Sequence, residues 1–509
     1  MDEQDCRGSN SESSGELRIV APSCVNKALR QRIRTALQEQ GPERPGHHWM
    51  LYIVVTVAAL GGLLYGYDTA VISGAMLFLR ARFILNPMMQ ELTVSASLLG
   101  AAVGALGGGR LSDMLGRRRT LLLTASVFAI GALCTALSSH WLMFLGLRLV
   151  AGCSIGAIAS IVPVYISEVS PSRLRGRLVT AYQLALTIGI ALAYWVDLVF
   201  TNAGLGWPPM YAVSSIPGAI LLLGLFFIPE SPRWLASKGH WTEAADVLER
   251  LHGPQAIQEW REVRTALRRE KRGSWRELFQ PGLRMALFVA VGLALFQQFV
   301  GINTVIYYAP TIFQYTGFTS ASSAIMASGI IGIVNVLSTV VAGVFIDRVG
   351  RRTLLLFGSA CMTVALILLG AVFMLGPAHS GALALSVLLL YVVAFAISLG
   401  PIFWLLSAEL FPTHLRSVGA SIATCANWIA NLVISMTFLS LISSIGKSYT
   451  FWLYACMSLL AFLFCWFLVP ETRKRSLEQI ERYWRNGRRW ETTPHTLTTH
   501  MKSSDAHWT

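Results

Sequence analysis

The sequence predicts an all-α membrane protein with twelve transmembrane helices in two pseudo-symmetric six-helix bundles. Three observations carry that expectation. The 509-residue chain is 54% hydrophobic and only 13% charged, with a mean hydropathy of +0.54; soluble domains carry about 25% charged residues. Apolar runs of about 20 residues recur, each long enough to cross a hydrocarbon core of roughly 30 Å. The same short polar motifs occur once in each half of the chain.

The elements follow in order. Residues 1–48 are polar and lack the apolar core of a signal peptide. The Ser-rich stretch "GSNSESSG" reads as part of a disordered cytoplasmic tail. The first bundle occupies 49–229, with spans 1–6 near 50–79, 92–111, 119–138, 141–166, 177–202 and 209–228. A charged cytoplasmic linker covers 230–284, where "WTEAADVLERLHG" and "WREVRTALRREKR" have the pattern of short amphipathic helices. The second bundle occupies 285–470, with spans 7–12 near 285–315, 321–346, 353–376, 382–408, 417–442 and 449–469. Residues 471–509 form a cytoplasmic tail.

The net charge of +14 sets topology and implies no nucleic-acid partner. Arg117, Arg118 and Arg119 follow span 2, Arg173, Arg175 and Arg177 follow span 4, and Arg348, Arg351 and Arg352 follow span 8. Arg416 follows span 10, whereas the opposite loops hold only Arg80, Arg82 and Lys447. The basic loops belong in the cytoplasm, and so do both termini. The eight cysteines show no CxxC or metal-ligand spacing and read as small buried thiols. No nucleophile elbow, phosphate loop or metal motif points to an enzyme.

The repeats are specific. "LSDMLGRRRTLLL" (111–123) matches "FIDRVGRRTLLL" (345–356), "YISEVSPSRLRG" (165–176) matches "LLSAELFPTHLRS" (405–417), and "PESPRW" (229–234) matches "PETRKR" (470–475). Parallel six-helix repeats with paired D-x-x-G-R-R motifs resemble the major facilitator superfamily. "PESPRWL", "EVSPSRLRG" and "PETRKRSLEQIE" narrow the resemblance to its sugar porter family, over roughly residues 50–485. The resemblance implies a site at the midplane between halves that rock to alternate access.

Polar residues inside spans should face a cavity or a partner. In span 7, "FQQFVGINTVIYYAP" (296–310) places Gln297, Gln298, Asn303 and Tyr307 near mid-depth, with Gly301 and Pro310 weakening the helix. Span 5 offers Gln183, span 8 Asn335, and span 11 Asn427 and Asn431 on one face. In span 10, Gly400 and Pro401 are expected to break the helix beside Trp404. Amides donate and accept through a planar fork that suits vicinal hydroxyls, and an indole offers a flat apolar face. Helix-to-helix adhesion is the alternative use of such groups. The family resemblance gives Gln183, Gln297, Gln298, Asn303, Tyr307, Asn335, Trp404 and Asn427 the role of substrate contacts. Ala294, Leu295 and Phe296 replace the Q-L-S of some glucose transporters, and Ile190 stands where the proton–xylose symporter has a second span-5 glutamine.

Asp68 interrupts the apolar run of span 1 in "GGLLYGYDTAVISG" (61–74). A charge at membrane depth costs about 2.5–3.5 kcal/mol on insertion scales. Arg148, in "GLRLVAGCSIG" of span 4, is the one basic residue inside a span core. The helical rise puts Asp68 roughly 16 Å and Arg148 about 10 Å below the same surface. Pairing would relieve much of the burial cost. A structural ion bridge is one reading. The other is a carboxyl that ionises when paired and holds a proton when the pair parts. The resemblance favours the second, because proton-coupled sugar porters carry this aspartate and arginine while well-known uniporters have asparagine. Asp197, in "YWVDLVF" near the outer end of span 5, is a second acidic candidate, for which a solvated vestibule residue is the preferred reading.

At the cytoplasmic helix ends, Asp113, Arg117, Glu168, Arg175 and Glu230 match Asp347, Arg351, Glu409, Arg416 and Glu471. Such charges can bridge when the inner face is shut, and the resemblance makes them an inside gate. The expected activity is import of a hexose, pentose or inositol by proton symport. The alternatives are a uniporter or a non-transporting sugar sensor. No cofactor is expected beyond the proton as coupling ion. The expected partners are a small-molecule sugar or polyol and the lipid bilayer of the cell membrane, with the monomer as the working unit.

Overall fold

A computed structural model describes residues 49–490, apart from 172–174, 254–255, 270–274, 376, 413–414, 474 and 476. The N-terminal tail and the end of the C-terminal tail lie outside the described residues. Twelve helices among the described residues are long and apolar enough to span a bilayer. In the first half they are Met50–Arg82, Pro87–Leu115, Arg117–Ala136, Trp141–Val169, Ala181–Asn202 and Trp207–Phe227. In the second half they are Leu283–Tyr315, Ala321–Ile346, Arg351–Val372, Ser380–Ser407, Val418–Ile445 and Lys447–Leu468.

Lipid gives helices no hydrophobic reason to associate, so close packing must do it, and small residues permit the closest approach. Gly66 of span 1 sits on the Leu186 carbonyl of span 5. Gly156 of span 4 sits on the Ala101 carbonyl of span 2. A Cβ at either position would meet backbone that cannot move aside.

Two spans are broken. Span 7 divides into Leu283–Phe299 and Ile302–Tyr315 at Gly301, whose φ of +90° is left-handed. Only glycine takes that conformation without strain. The helix then runs past Pro310 without ending. Span 10 divides into Pro377–Ala396 and Leu399–Glu409. The break falls at Ile397–Ser398, earlier than the expected Gly400–Pro401. Gly400 and Pro401 lie in the first turn of the second piece, where a missing N–H leaves no helical bond unmade.

Between the halves, helices Pro232–Ser237, Trp241–His252 and Ala256–Arg269 form a small layer around buried Trp260. The last begins four residues before the expected Trp260 start. His252 Nε2 donates to the Val169 carbonyl at 2.9 Å, which fixes this layer under span 4.

The halves meet along spans 2 and 11, spans 5 and 8, and span 1 against the second piece of span 7. At the face opposite the basic loops, Arg80 donates to Gln314 at 2.9 Å. Glu91 takes the Ser440 N–H at 2.7 Å and its hydroxyl at 2.6 Å. Ser322 donates to Asn202, and Tyr194 donates to the Ile306 carbonyl at 2.8 Å. These four contacts close that face.

Candidate functional site

Asp68 and Arg148 meet in the first half, both almost fully buried. Arg148 Nη1 donates to Asp68 Oδ1 in a close ion pair, and Ser97 donates to Oδ2 at 3.1 Å. The guanidinium also lies 5.3 Å from the centroid of the Tyr211 ring, within cation–π reach. Each charge is thereby compensated by a neighbour, as buried ions require. The pair opens onto a small cavity that both halves line: Tyr65, Ser97 and Ile155 from the first, Tyr307 and Trp428 from the second. Tyr65 and Trp428 face each other across the divide, with ring centroids 5.9 Å apart.

The amides predicted from span 7 gather on the second-half side. Gln298 Nε2 donates to Asn427 Oδ1 at 3.0 Å, and Asn427 Nδ2 donates to Gln297 Oε1 at 2.6 Å. Asn303 donates to Gln298 Oε1 at 2.7 Å. Gln297 Nε2 reaches the Leu399 and Gly400 carbonyls, both at 3.1 Å, next to the break in span 10. Both carbonyls lie in the first turn of the second piece, and each has a second lone pair to offer this amide. Asn431 donates to the Tyr307 hydroxyl at 3.3 Å, which joins this network to the wall of the Asp68 cavity. The cluster is a set of donors and acceptors matched to one another. A polyol can replace those bonds one for one.

The other predicted residues are not in this network. Gln183 is half-buried on span 5 and Asn335 is buried on span 8, two spans that pack together across the halves. Trp404 is 43% exposed and packs its ring against Phe403 at 4.8 Å. The vestibule expectation for Asp197 fails. Its side chain is fully buried against Gly74 of span 1. The glycine lets span 5 approach so closely that no space is left for solvent.

At the basic face, Arg117 bonds to Glu168 at 3.1 Å and to Asp113 at 3.0 Å. Glu230 accepts the Arg117 N–H at 2.8 Å and the Arg118 N–H at 3.1 Å. The second half repeats this plan. Arg351 reaches Glu409 at 3.4 Å, and Glu471 accepts the Arg351 and Arg352 N–H groups at 3.1 Å. Each of these pairs joins elements of one half. The halves touch at the opposite face in this state. Arg416 is half-buried at the start of span 11's helix. The side chains of Arg175 and Asp347 lie outside the described ones.

Sequence pattern did not single out Tyr65, Ser97, Glu91 or Trp428. Trp428 had a signal, since it stands inside the flagged "CANWIANLV". Glu91 had one too, as a carboxylate immediately before the apolar run of span 2.

Comparison with known proteins agrees with this architecture. A family model described as "Sugar (and other) transporter" matches residues 54–484. An arabinose-proton symporter of Bacillus subtilis (strain 168) is 40% identical over 459 residues, 88% of this chain and 98% of that one. A galactose-proton symporter of Escherichia coli (strain K12) is 39% identical over 446 residues, 86% of this chain and 96% of that one. Among solved structures, the E. coli xylose transporter XylE in a partially occluded inward-open conformation superposes with a TM-score of 0.74 at 33% identity, covering 84% of this chain and 99% of that one. The chain thus belongs to the sugar (and other) transporter family, as a multi-pass membrane protein of the major facilitator fold.

Proposed function

We propose that this protein imports a hexose, pentose or inositol by proton symport through alternating access. One observation carries the reading: a buried Asp68–Arg148 pair opens onto a cavity that both halves line. Relatives named as arabinose-proton and galactose-proton symporters support it. The solved structure of a proton:xylose symporter bound to 6-bromo-6-deoxy-D-glucose supports it as well, at 34% identity and a TM-score of 0.74.

In this reading Asp68 is the proton site. Protonation removes its charge, and Arg148 is released from its bond. Gln297, Gln298, Asn303, Tyr307 and Asn427 exchange their mutual hydrogen bonds for substrate hydroxyls, while Gln183, Asn335 and Trp404 complete the contacts. Rocking then moves the cavity from one face to the other. The basic face is cytoplasmic and so are the termini. The charged residues there form the inside gate. The proton is the coupling ion, no cofactor takes part, and one chain suffices because it supplies both halves of the site.

The test is uptake of radiolabelled glucose, galactose, xylose, arabinose and myo-inositol into proteoliposomes, with and without an inward proton gradient. Wild type should accumulate its substrate when the gradient is present. Asp68→Asn should lose accumulation and keep counterflow exchange. Equilibration that ignores the gradient in both proteins would make this a uniporter, with Asp68–Arg148 a structural pair.

A further inference from the structure

Asp197 is the buried carboxyl that the Asp68 mechanism leaves unused. It is fully buried, and neither of its oxygens has a protein hydrogen-bond partner. The Gly74 backbone amide approaches the carboxyl without reaching hydrogen-bond geometry. An ionised carboxylate in that setting lacks any compensation, and such groups neutralise rather than stay charged.

Several polar groups around it are committed elsewhere, and none donates to it. On span 5 itself, the Tyr194 hydroxyl gives its proton to the Ile306 carbonyl of the second half at 2.8 Å. On span 1, Tyr67 donates to the Met210 carbonyl at 3.0 Å and Ser73 to the Ala70 carbonyl at 2.7 Å. Asp68, also on span 1, is committed to Arg148 of span 4. Span 6 contributes Tyr211, whose ring faces Arg148 and whose buried hydroxyl forms no hydrogen bond, with Asp197 or any other group. Span 8 holds ionisable residues only in its last turn, at the basic end. Among the described residues, no cation faces Asp197 from these elements.

One of those commitments depends on conformation. Tyr194 bonds across the halves, and so does Asn202, one turn beyond Asp197 on the same helix. Parting the halves at the outer face frees the Tyr194 hydroxyl to turn back toward span 5 and lets water reach the outer end of that span. Both changes favour the ionised form. We infer that Asp197 is a second proton-binding site, neutral while the outer face is closed and ionised when it opens. Closure then takes a proton from the outer solvent onto an Asp197 oxygen, and opening returns it to the same side. This proton is not carried across. By linkage, acid outside favours closure. Asp197 therefore sets the external-pH dependence of the transport rate, while Asp68 sets how far substrate accumulates.

The transport part of this inference rests on the symport reading; the protonation part does not. The first arm uses full-length protein in nanodiscs, locked outer-face-closed by a disulfide in N202C/S322C. Infrared spectra at neutral pH are compared for this protein and for versions carrying Asp197→Asn or Asp68→Asn. A protonated-carboxyl C=O band should be present in the parent and in the Asp68→Asn form, and absent from the Asp197→Asn form. An Asp197→Asn spectrum that matches the parent would overturn the inference. The second arm measures uptake against external pH in proteoliposomes. Asp197→Asn should reach the wild-type accumulation ratio with a flattened dependence of initial rate on external pH. Loss of accumulation in Asp197→Asn would overturn the assignment of a proton that is not carried. Failure of wild type to accumulate at all would count against symport, and the infrared arm would still decide the state of Asp197.

Discussion

Asn427 shows how much rests on a single side chain. It both accepts from Gln298 and donates to Gln297, so Asn427→Ala leaves Gln298 Nε2 and Gln297 Oε1 buried without these partners. Hydrogen bonds between membrane helices average about 0.6 kcal/mol, so a loss of about 1–2 kcal/mol is expected. The variant should unfold at lower temperature in detergent. Its apparent substrate affinity should fall roughly tenfold, the equivalent of about 1.4 kcal/mol. Unchanged affinity would mean that the amides serve adhesion alone. Arg148→Lys tests a different property. It keeps the charge but loses the planar fork that serves Asp68 while resting on Tyr211. Gradient-driven accumulation should drop severalfold in uptake assays, with counterflow exchange retained. At this scale the sequence was readable where chemistry is unusual for its surroundings. Gln297, Gln298, Asn427 and the Asp68–Arg148 pair stand out against apolar runs, and the helical rise put the two charges at similar depth. Asp197 was misread because depth along a helix does not say which neighbour the side chain meets, and that was decided by the missing side chain of Gly74.

The two broken spans make the site possible, and they differ in how legible they were. Gly301 is visible in the sequence and adopts the left-handed conformation that breaks span 7 between Gln298 and Asn303. Gly301→Ala places a Cβ 2.7 Å from the Tyr454 ring and forces a left-handed backbone on an L-residue, at a cost of about 1–2 kcal/mol. The expected result is a lower melting temperature, with transport reduced more than expression. A variant as stable as wild type would show that the break is not needed. The break in span 10 was expected at Gly400–Pro401 and falls at Ile397–Ser398. Proline signals that a helix cannot continue from the preceding turn; it does not say whether the chain breaks at the proline or restarts just ahead of it. Helix existence and length were legible because about 20 apolar residues admit one structure in lipid. Register between helices was not, since a glycine such as Gly156 reveals its partner only once spans 2 and 4 are side by side.

For the whole molecule, the contacts at the two faces have different characters, and that difference predicts opposite responses. The face opposite the basic loops, the outer one in the proposed topology, is held by bonds between halves, of which Glu91 to Ser440 is the one carried by a buried charge. Hydrogen bonds to charged groups contribute about 1.5–3 kcal/mol, so Glu91→Ala removes a large part of what favours this state. At the basic face, Arg117, Glu168 and Glu230 act inside the first half, and Ser231 joins them by donating to Glu168 at 2.5 Å. Trp234 adds a bond to the Asp113 carbonyl at 3.0 Å. These contacts fix the linker layer under spans 2 to 4, and a fixed layer is what the second half can rest against when the inner face shuts. Arg117→Ala should loosen that platform and favour inward-open states, whereas Glu91→Ala should favour outward-open ones. A shift of about 1–2 kcal/mol changes the ratio of states roughly five- to thirtyfold. Val94 lines the central cavity, so a V94C probe reports both openings. In right-side-out vesicles, an impermeant maleimide should label V94C faster when Glu91→Ala is added and more slowly when Arg117→Ala is added. Inside-out vesicles should give the reverse order. Equal rates in both orientations would deny these two clusters a part in the choice of state. Combining the substitutions should return the rates toward those of V94C alone, because each would relax a different end of the same two-state balance.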